Sequence, residues 1–146
     1  MLVLPDGVLF ARGRARFTDD LPSGQEQTPK IYIKLEAQAL DGLIVAQLDT
    51  GSSWTVLDVE VAEAMDLLDG DGEVASMATR FGRLTGRLER TQIRIVADEG
   101  DSLEIDATVW VSREWPAGNF IGYAGLLERV RFAVDPSTNT IYFGPA

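Results

Sequence analysis

The residues of this chain best suited to chemistry lie in one short segment, Leu48-Asp-Thr-Gly-Ser-Ser53, which directly follows an apolar stretch at residues 43–48. A carboxylate that emerges from a buried strand lies in a low-dielectric setting, where its neighbours decide its protonation. Gly51 lets another backbone or a ligand approach closely. The hydroxyls of Thr50, Ser52 and Ser53 can hydrogen-bond a carboxylate and fix its rotamer. The segment therefore predicts that Asp49 is a functional aspartate. The alternative is a simple turn, because Asp and Gly at the end of a strand are common in turns.

The composition narrows the chemistry open to Asp49. The chain has 146 residues and contains neither cysteine nor histidine, which excludes a Ser-His-Asp triad, a thiolate nucleophile and any metal site that uses those ligands. The acid/base groups that remain are mainly carboxylates. A formal net charge of −10 disfavours nucleic acids and anionic membranes as partners. Acidic residues at 69–71 and 98–101 lack the twelve-residue spacing of a calcium loop, so we expect no metal.

Short alternating runs of apolar and polar residues predict the elements that must position this segment. The predicted strands cover residues 31–37, 43–48, 54–57, 73–97, 103–111, 120–122, 131–135 and 140–144. A change of parity near Glu89-Arg90 predicts a bulge or a change of sheet face. Two short helices are predicted, at 59–68 with Asp58 as its N-cap and at 123–130. Many short strands with two short helices are typical of a mostly β protein with a closed or folded-over sheet.

The N-terminal part of the chain has a different character. Residues 8–17 carry Arg12, Arg14 and Arg16 at alternate positions, which predicts the solvated face of an edge strand. Residues 18–29 are polar and hold two prolines, as a linker does. We therefore predict an N-terminal extension at residues 1–28 and one domain at 29–146. No stretch is apolar enough for a membrane span or a signal peptide, so the simplest expectation is a cytoplasmic protein with no membrane partner.

The segment at 48–53 resembles the active-site signature of aspartic proteases, and its surroundings are similar to the single-domain, retroviral-type (retropepsin-like) branch in its bacterial and cellular forms. Residues 29–35 resemble the lead-in strand, 77–88 the flap hairpin with its return strand, and 141–144 the closing strand. Phe120-Ile121-Gly122 resembles the second motif, in which apolar residues and a glycine pack behind the active-site loop. The resemblance covers residues 29–144 and implies a closed, β-barrel-like acid-protease fold that forms a homodimer.

The resemblance also implies roles for individual residues. Asp49 would be catalytic, and Thr50, Gly51 and Ser52 would support its loop. Tentative substrate-binding residues would be Ser53, Trp54, Phe81 and Gly82. The second motif would consist of Ile121 and Gly122. Packing in the core or an interface is an equally good reading of Trp54. The chain has a single Asp-Thr-Gly, since Asp135-Pro-Ser is not a second copy. The implied enzyme is an aspartic endopeptidase without a cofactor, in which a water is activated by Asp49 and its counterpart across a homodimer.

Two departures from the retroviral pattern bear on that dimer. The retroviral enzymes usually have an acidic residue two places after the signature glycine and an arginine just after the glycine of the second motif. Ser53 and Tyr123 occupy those places here, so the usual interface ion pair is absent with neither partner left alone. The terminal strands, including residues 140–144, are the predicted interface because unpaired edges invite pairing. The alternative function is a non-catalytic dimerisation or peptide-binding module on the same fold.

Overall fold

The computed structural model describes residues 1–19 and 30–146. The linker predicted at 18–29 therefore lies, apart from its first two residues, outside the described residues. The described residues form the strands β1 (Leu2–Val3), β2 (Leu9–Ala11), β3 (Gly13–Arg16), β4 (Tyr32–Ala37), β5 (Ile44–Leu48), β6 (Thr55–Val56), β7 (Glu73–Thr79), β8 (Gly82–Ile95), β9 (Glu99–Gly100), β10 (Leu103–Val111), β11 (Asn119–Ile121), β12 (Val130–Asp135) and β13 (Thr140–Pro145). One α-helix, α1 (Val59–Ala64), and one 3-10 turn, Leu127–Arg129, accompany them.

Six of these strands close into a barrel. Their order is β10-β6-β11-β5-β4-β8, and β8 pairs back with β10 to complete the ring, while β7 extends from β8 as a hairpin. β11 runs parallel to β5, and β10 runs parallel to β6. Alternate side chains of each strand point inward and form the main core, whose largest fully buried members include Leu35, Leu57, Ile93, Ile95, Ile121 and Leu126. The prediction of a mostly β, closed-barrel fold is confirmed.

Among the described strands, β1 and β2 pair only with each other, whereas a four-stranded sheet joins β3 to the C-terminal strands and corrects two predictions about edges. Its order is β12-β13-β3-β9, so the arginine strand β3 lies between two neighbours and the predicted edge position is wrong. Arg14 forms an ion pair and hydrogen bonds with Glu99 of the neighbouring strand, and the hydrogen bond raises the pKa of Arg14. β13 likewise pairs on both sides, so residues 140–144 do not offer the unpaired edge predicted for dimer contact. The division of the chain at residue 29 stays a prediction.

The first predicted helix is shorter than expected, and the second is replaced by a 3-10 turn. The backbone of Asp66 has a φ of +59°, which ends α1 four residues before the predicted boundary at 68, although Asp58 caps it as expected by accepting from the Glu60 N–H at 2.8 Å. The predicted helix at 123–130 is wrong. Gly125 has a φ of +77°, so the chain turns there and only the 3-10 turn follows. A Cβ on Gly125 would lie 2.7 Å from Thr108, so the tight packing fixes this glycine in place.

The parity change in β8 is a change of face without a bulge. β8 runs unbroken for 14 residues, and its pairing with β10 shows no shift from 87 to 95. Ile93 and Ile95 point into the main core. Leu84 and Leu88 pack instead on a smaller aromatic cluster, which we define by its buried members Val56, Trp110 and Trp115. This aromatic cluster supports the hairpin that β8 forms with β7.

Candidate active site

Asp49 lies at the end of β5, where the barrel strand passes into a tight loop. Its backbone N–H donates to the carbonyl of Ile121 at 3.0 Å, which continues the pairing of β5 with β11. Its side chain is half-buried, and its Oδ1 accepts a hydrogen bond from the Gly51 N–H at 3.0 Å. The Ser52 N–H donates back to the Asp49 carbonyl at 3.1 Å and closes the turn. Backbone groups of the loop therefore orient this carboxylate.

The Ser52 hydroxyl does not have the role predicted for it. The Ser52 hydroxyl donates to the Trp54 carbonyl at 2.7 Å rather than to the carboxylate of Asp49, so that part of the prediction is wrong. The reason is geometric, because the turn places the carbonyl two residues further along within reach of Ser52. Thr50 and Ser53 are exposed at the surface of the loop.

The second motif packs directly behind this loop. Gly122 donates its N–H to the buried Thr55 hydroxyl at 3.0 Å, and a Cβ on Gly122 would lie 2.1 Å from the Trp54 carbonyl oxygen. Ile121 is completely buried. The Tyr123 N–H then donates to the Ser52 carbonyl at 2.9 Å, which ties the two segments together. Sequence reasoning missed Thr55, although a threonine within an apolar strand signals a buried hydroxyl that needs a partner.

A cleft of about 320 Å³ opens beside Asp49. It brings four loop residues predicted from the sequence, at 49 and 51–53, against the end of β7 in the hairpin. The predicted flap contributes residues 77–80 and the second motif contributes Phe120, and the remaining lining residues are Lys30, Gln47, Val56 and Trp115. A larger groove, of about 430 Å³, lies by the β4–β5 hairpin and does not include Asp49. The site aspartate is therefore open to a ligand from the smaller cleft.

The hairpin of β7 and β8 ends in a turn that touches one wall of this cleft. Gly82 has a φ of +99°, a conformation that suits glycine, and the Thr79 hydroxyl donates to its carbonyl at 2.8 Å. Phe81 is 44% exposed, and its ring meets Trp115 edge-on with centroids 5.6 Å apart. Trp115 donates its indole N–H to the Gly118 carbonyl at 2.9 Å, so it anchors its loop and lines the cleft as well.

Other residues considered for the site lie elsewhere. Trp54 is half-buried against the aromatic cluster and forms a bridge with Ala124, so its position fits the packing interpretation rather than the subsite. Gly86, in the predicted flap hairpin, is buried against Trp110, where an added Cβ would lie 2.5 Å away, so packing leaves no room for a side chain there. Asp135 accepts from the Ser137 hydroxyl at 2.6 Å, and these turn hydrogen bonds lower the pKa of Asp135.

Within residues 1–19 and 30–146, no group of three or more acidic side chains is placed to hold a metal ion. Over the same ranges, no helix has the length and apolar character required to cross a bilayer.

The barrel, the aspartate loop and the glycine motif packed behind it together define a retropepsin-like fold. A crystal structure described as a retropepsin-like aspartic protease from Rickettsia conorii is similar to this chain, with a TM-score of 0.57 and 17% sequence identity. The likeness covers 88% of this chain and 97% of that one. No protein-family model and no curated protein sequence matches the chain. The likeness is therefore one of fold.

Proposed function

We propose that the protein is an aspartic endopeptidase that hydrolyses peptide bonds. The observation that carries the proposal is the position of Asp49. It lies at a strand end on the cleft, held by the Gly51 N–H, with Gly122 packed behind its loop and the hairpin of β7 and β8 opposite. An extended peptide fits between a loop and a hairpin, and a carboxylate there can act on water.

Hydrolysis requires a base that takes a proton from water and an acid that protonates the peptide group. Two neighbouring carboxylates that share one proton supply both, because they resist ionising together. The described loop offers one such carboxylate, and Asp135 is engaged in its own turn. We propose that a second copy of the chain supplies the other, with the two Asp49 side chains facing each other across a two-fold axis. No step calls for a cofactor.

The surface around Asp49 has features that suit such a dimer. Thr50 and Ser53 of the aspartate loop and Tyr123 of the neighbouring segment line a shallow depression, and Tyr123 is 57% exposed. An axis through paired Asp49 side chains would bring these residues close to their counterparts. Ser53 and Tyr123 stand where the retroviral enzymes have their ion pair, so we propose that aromatic packing by Tyr123 takes over part of that contact.

Activity should depend on association. We expect sedimentation equilibrium at micromolar concentration to give a dimer, and specific activity to fall on dilution as the dimer dissociates. Tyr123→Asp should weaken association by about tenfold or more, since buried aromatic anchors carry much of an interface's energy. Tyr142→Asp, a half-buried tyrosine in the four-stranded sheet, is the matched control. A strictly monomeric protein that cleaves peptides would overturn the shared site, whereas a dimer that binds peptides without cleaving them would support the alternative, a binding module.

The turn of the hairpin should act as a flap over the cleft. Residues 78–85 carry two large apolar side chains, and Phe81 is half exposed, so this segment should open at little free-energy cost. We expect fast amide exchange there in the free protein and slower exchange when a transition-state-like peptide inhibitor is bound. Residues 103–111 of the barrel serve as the internal reference. If residues 78–85 are already as protected as that strand without inhibitor, the flap assignment is wrong.

A further inference from the structure

The lining of the cleft includes apolar, acidic and basic side chains besides uncharged polar ones. Its walls carry the apolar side chains of Val56, Met77, Trp115 and Phe120. Asp49 is the one carboxylate among its described lining residues. Two cations complete it, Lys30 beside the start of β4 and Arg80 in the hairpin turn. These cations come from segments 50 residues apart in the chain, and barrel closure places both on the same cleft.

Neither cation is neutralised by a described carboxylate. The ion pairs among the described residues engage other side chains, namely Arg14, Arg90, Arg94, Arg113 and Arg129. The Arg80 guanidinium lies 4.8 Å from the centroid of the Phe81 ring. Stacking of this kind uses the flat face of a guanidinium and leaves the N–H donors at its edge available. The Lys30 backbone N–H donates to the Asp19 carbonyl at 3.1 Å, which anchors the residue while its side chain is exposed.

The local charge of the cleft therefore opposes the charge of the whole chain. A net charge of −10 alone predicts repulsion of acidic peptides. Exposed charges further apart than about 8 Å are largely screened at physiological ionic strength. A peptide bound in the cleft therefore interacts mainly with the nearby cations, and most of the acidic surface contributes little.

We propose that this cleft selects peptides with an acidic side chain close to the apolar residue that packs on its walls, with Lys30 and Arg80 as the specificity-determining residues. The inference rests on the proposed function, because it names the substrate class of the same site. Lys30 and Arg80 are exposed, so each contributes modestly, about two- to fivefold in the preference for glutamate over glutamine. In a dimer each cation would occur twice, once on either side of the paired aspartates.

The test uses acetylated and amidated peptides that share one apolar cleavage site and differ by Glu, Gln or Lys at each flanking position. We expect the wild-type kcat/KM to be highest for Glu, lower for Gln and lowest for Lys at one or more positions. The Glu-to-Gln ratio of kcat/KM should approach one at 1 M salt. Lys30→Gln and Arg80→Gln should each reduce the Glu-to-Gln ratio. Arg83→Gln is the matched control, because Arg83 lies in the same hairpin but not on the cleft.

Binding separates this inference from the proposed activity. The dissociation constants of the same fluorescent peptides, measured by anisotropy with the Asp49→Asn protein, give the Glu-to-Gln ratio without turnover. Equal affinity for the Glu and Gln peptides at every position in low salt would overturn the inference, as would an unchanged ratio in both cleft variants. A Glu preference in binding without any cleavage by the wild type would support the charge selection and count against the protease.

Discussion

Replacing Asp49 by Asn should lower kcat/KM for peptide hydrolysis by about 100- to 10,000-fold, the range attributed to general acid–base groups. Asn is close to Asp in size and can still accept the Gly51 N–H hydrogen bond, but it cannot take a proton from water. Wild-type activity should peak at acidic to mildly acidic pH, because a carboxylate dyad works in its singly protonated form. The measurement is a pH–rate profile of both proteins beside Asp41→Asn, which makes the same charge change in an exposed turn.

A mixing experiment extends this test to the shared site. If each dimer needs both aspartates, random pairing of equal amounts of wild type and Asp49→Asn leaves about a quarter of the dimers with two of them. Activity should then fall to about half of what simple dilution with an inert protein gives. Mixing the wild type with Asp41→Asn, the control variant, should not lower the wild-type activity. Equal hydrolysis rates for wild type and Asp49→Asn would refute the catalytic role of Asp49. A mixture whose activity equals that of plain dilution would refute the shared site.

The elements predicted from the sequence with most success are those whose local pattern agrees with their tertiary surroundings. Residues 103–111 alternate cleanly because one face of β10 packs on the core, and the structure has a strand with those bounds. The closing hairpin was predicted equally well, because the turn at 136–139 separates two apolar runs. The loop of Asp49 follows the same logic, since an apolar strand that ends in Asp-Thr-Gly leaves the carboxylate at the edge of the barrel.

The failures have tertiary causes. The helix predicted at 123–130 has suitable spacing, but Gly125 takes up a left-handed conformation against Thr108, a contact between distant segments that no local pattern encodes. The alternating arginines of β3 predicted an edge strand. In the structure β9 pairs with β3, and Arg14 forms an ion pair with Glu99 of β9.

The convergence of the two cations on the cleft could not be predicted for the same reason. Lys30, Arg80 and Trp115 come from a strand entry, a hairpin turn and a loop, and closure of the barrel alone brings them together. Sequence reasoning identified the loop that carries the chemistry because its residues are consecutive. The residues that would recognise a substrate are dispersed along the chain, so their joint role became visible only in the structure.

Gly122→Ala tests whether the second motif holds the aspartate loop in place. The new methyl group would lie 2.1 Å from the Trp54 carbonyl oxygen and 2.8 Å from the Thr55 nitrogen, and both are backbone atoms that cannot move without shifting the loop. Overpacking of this kind costs about 1–3 kcal/mol, and a clash with backbone belongs at the upper end. For a chain of this size the melting temperature should fall by roughly 5–10 °C.

The matched control is Gly118→Ala, because a Cβ on Gly118 meets nothing within 4 Å and its backbone is not left-handed. Its stability should stay within about 0.5 kcal/mol of the wild type. Peptide cleavage by Gly122→Ala, measured at a temperature where it is still folded, should also fall, because the Trp54 carbonyl it displaces is the acceptor of the Ser52 hydroxyl in the Asp49 loop. The contradicting outcome is a Gly122→Ala protein that matches Gly118→Ala in both melting temperature and peptide-cleavage activity. In that case the loop does not depend on the glycine behind it, and the packing that we assign to the second motif is wrong.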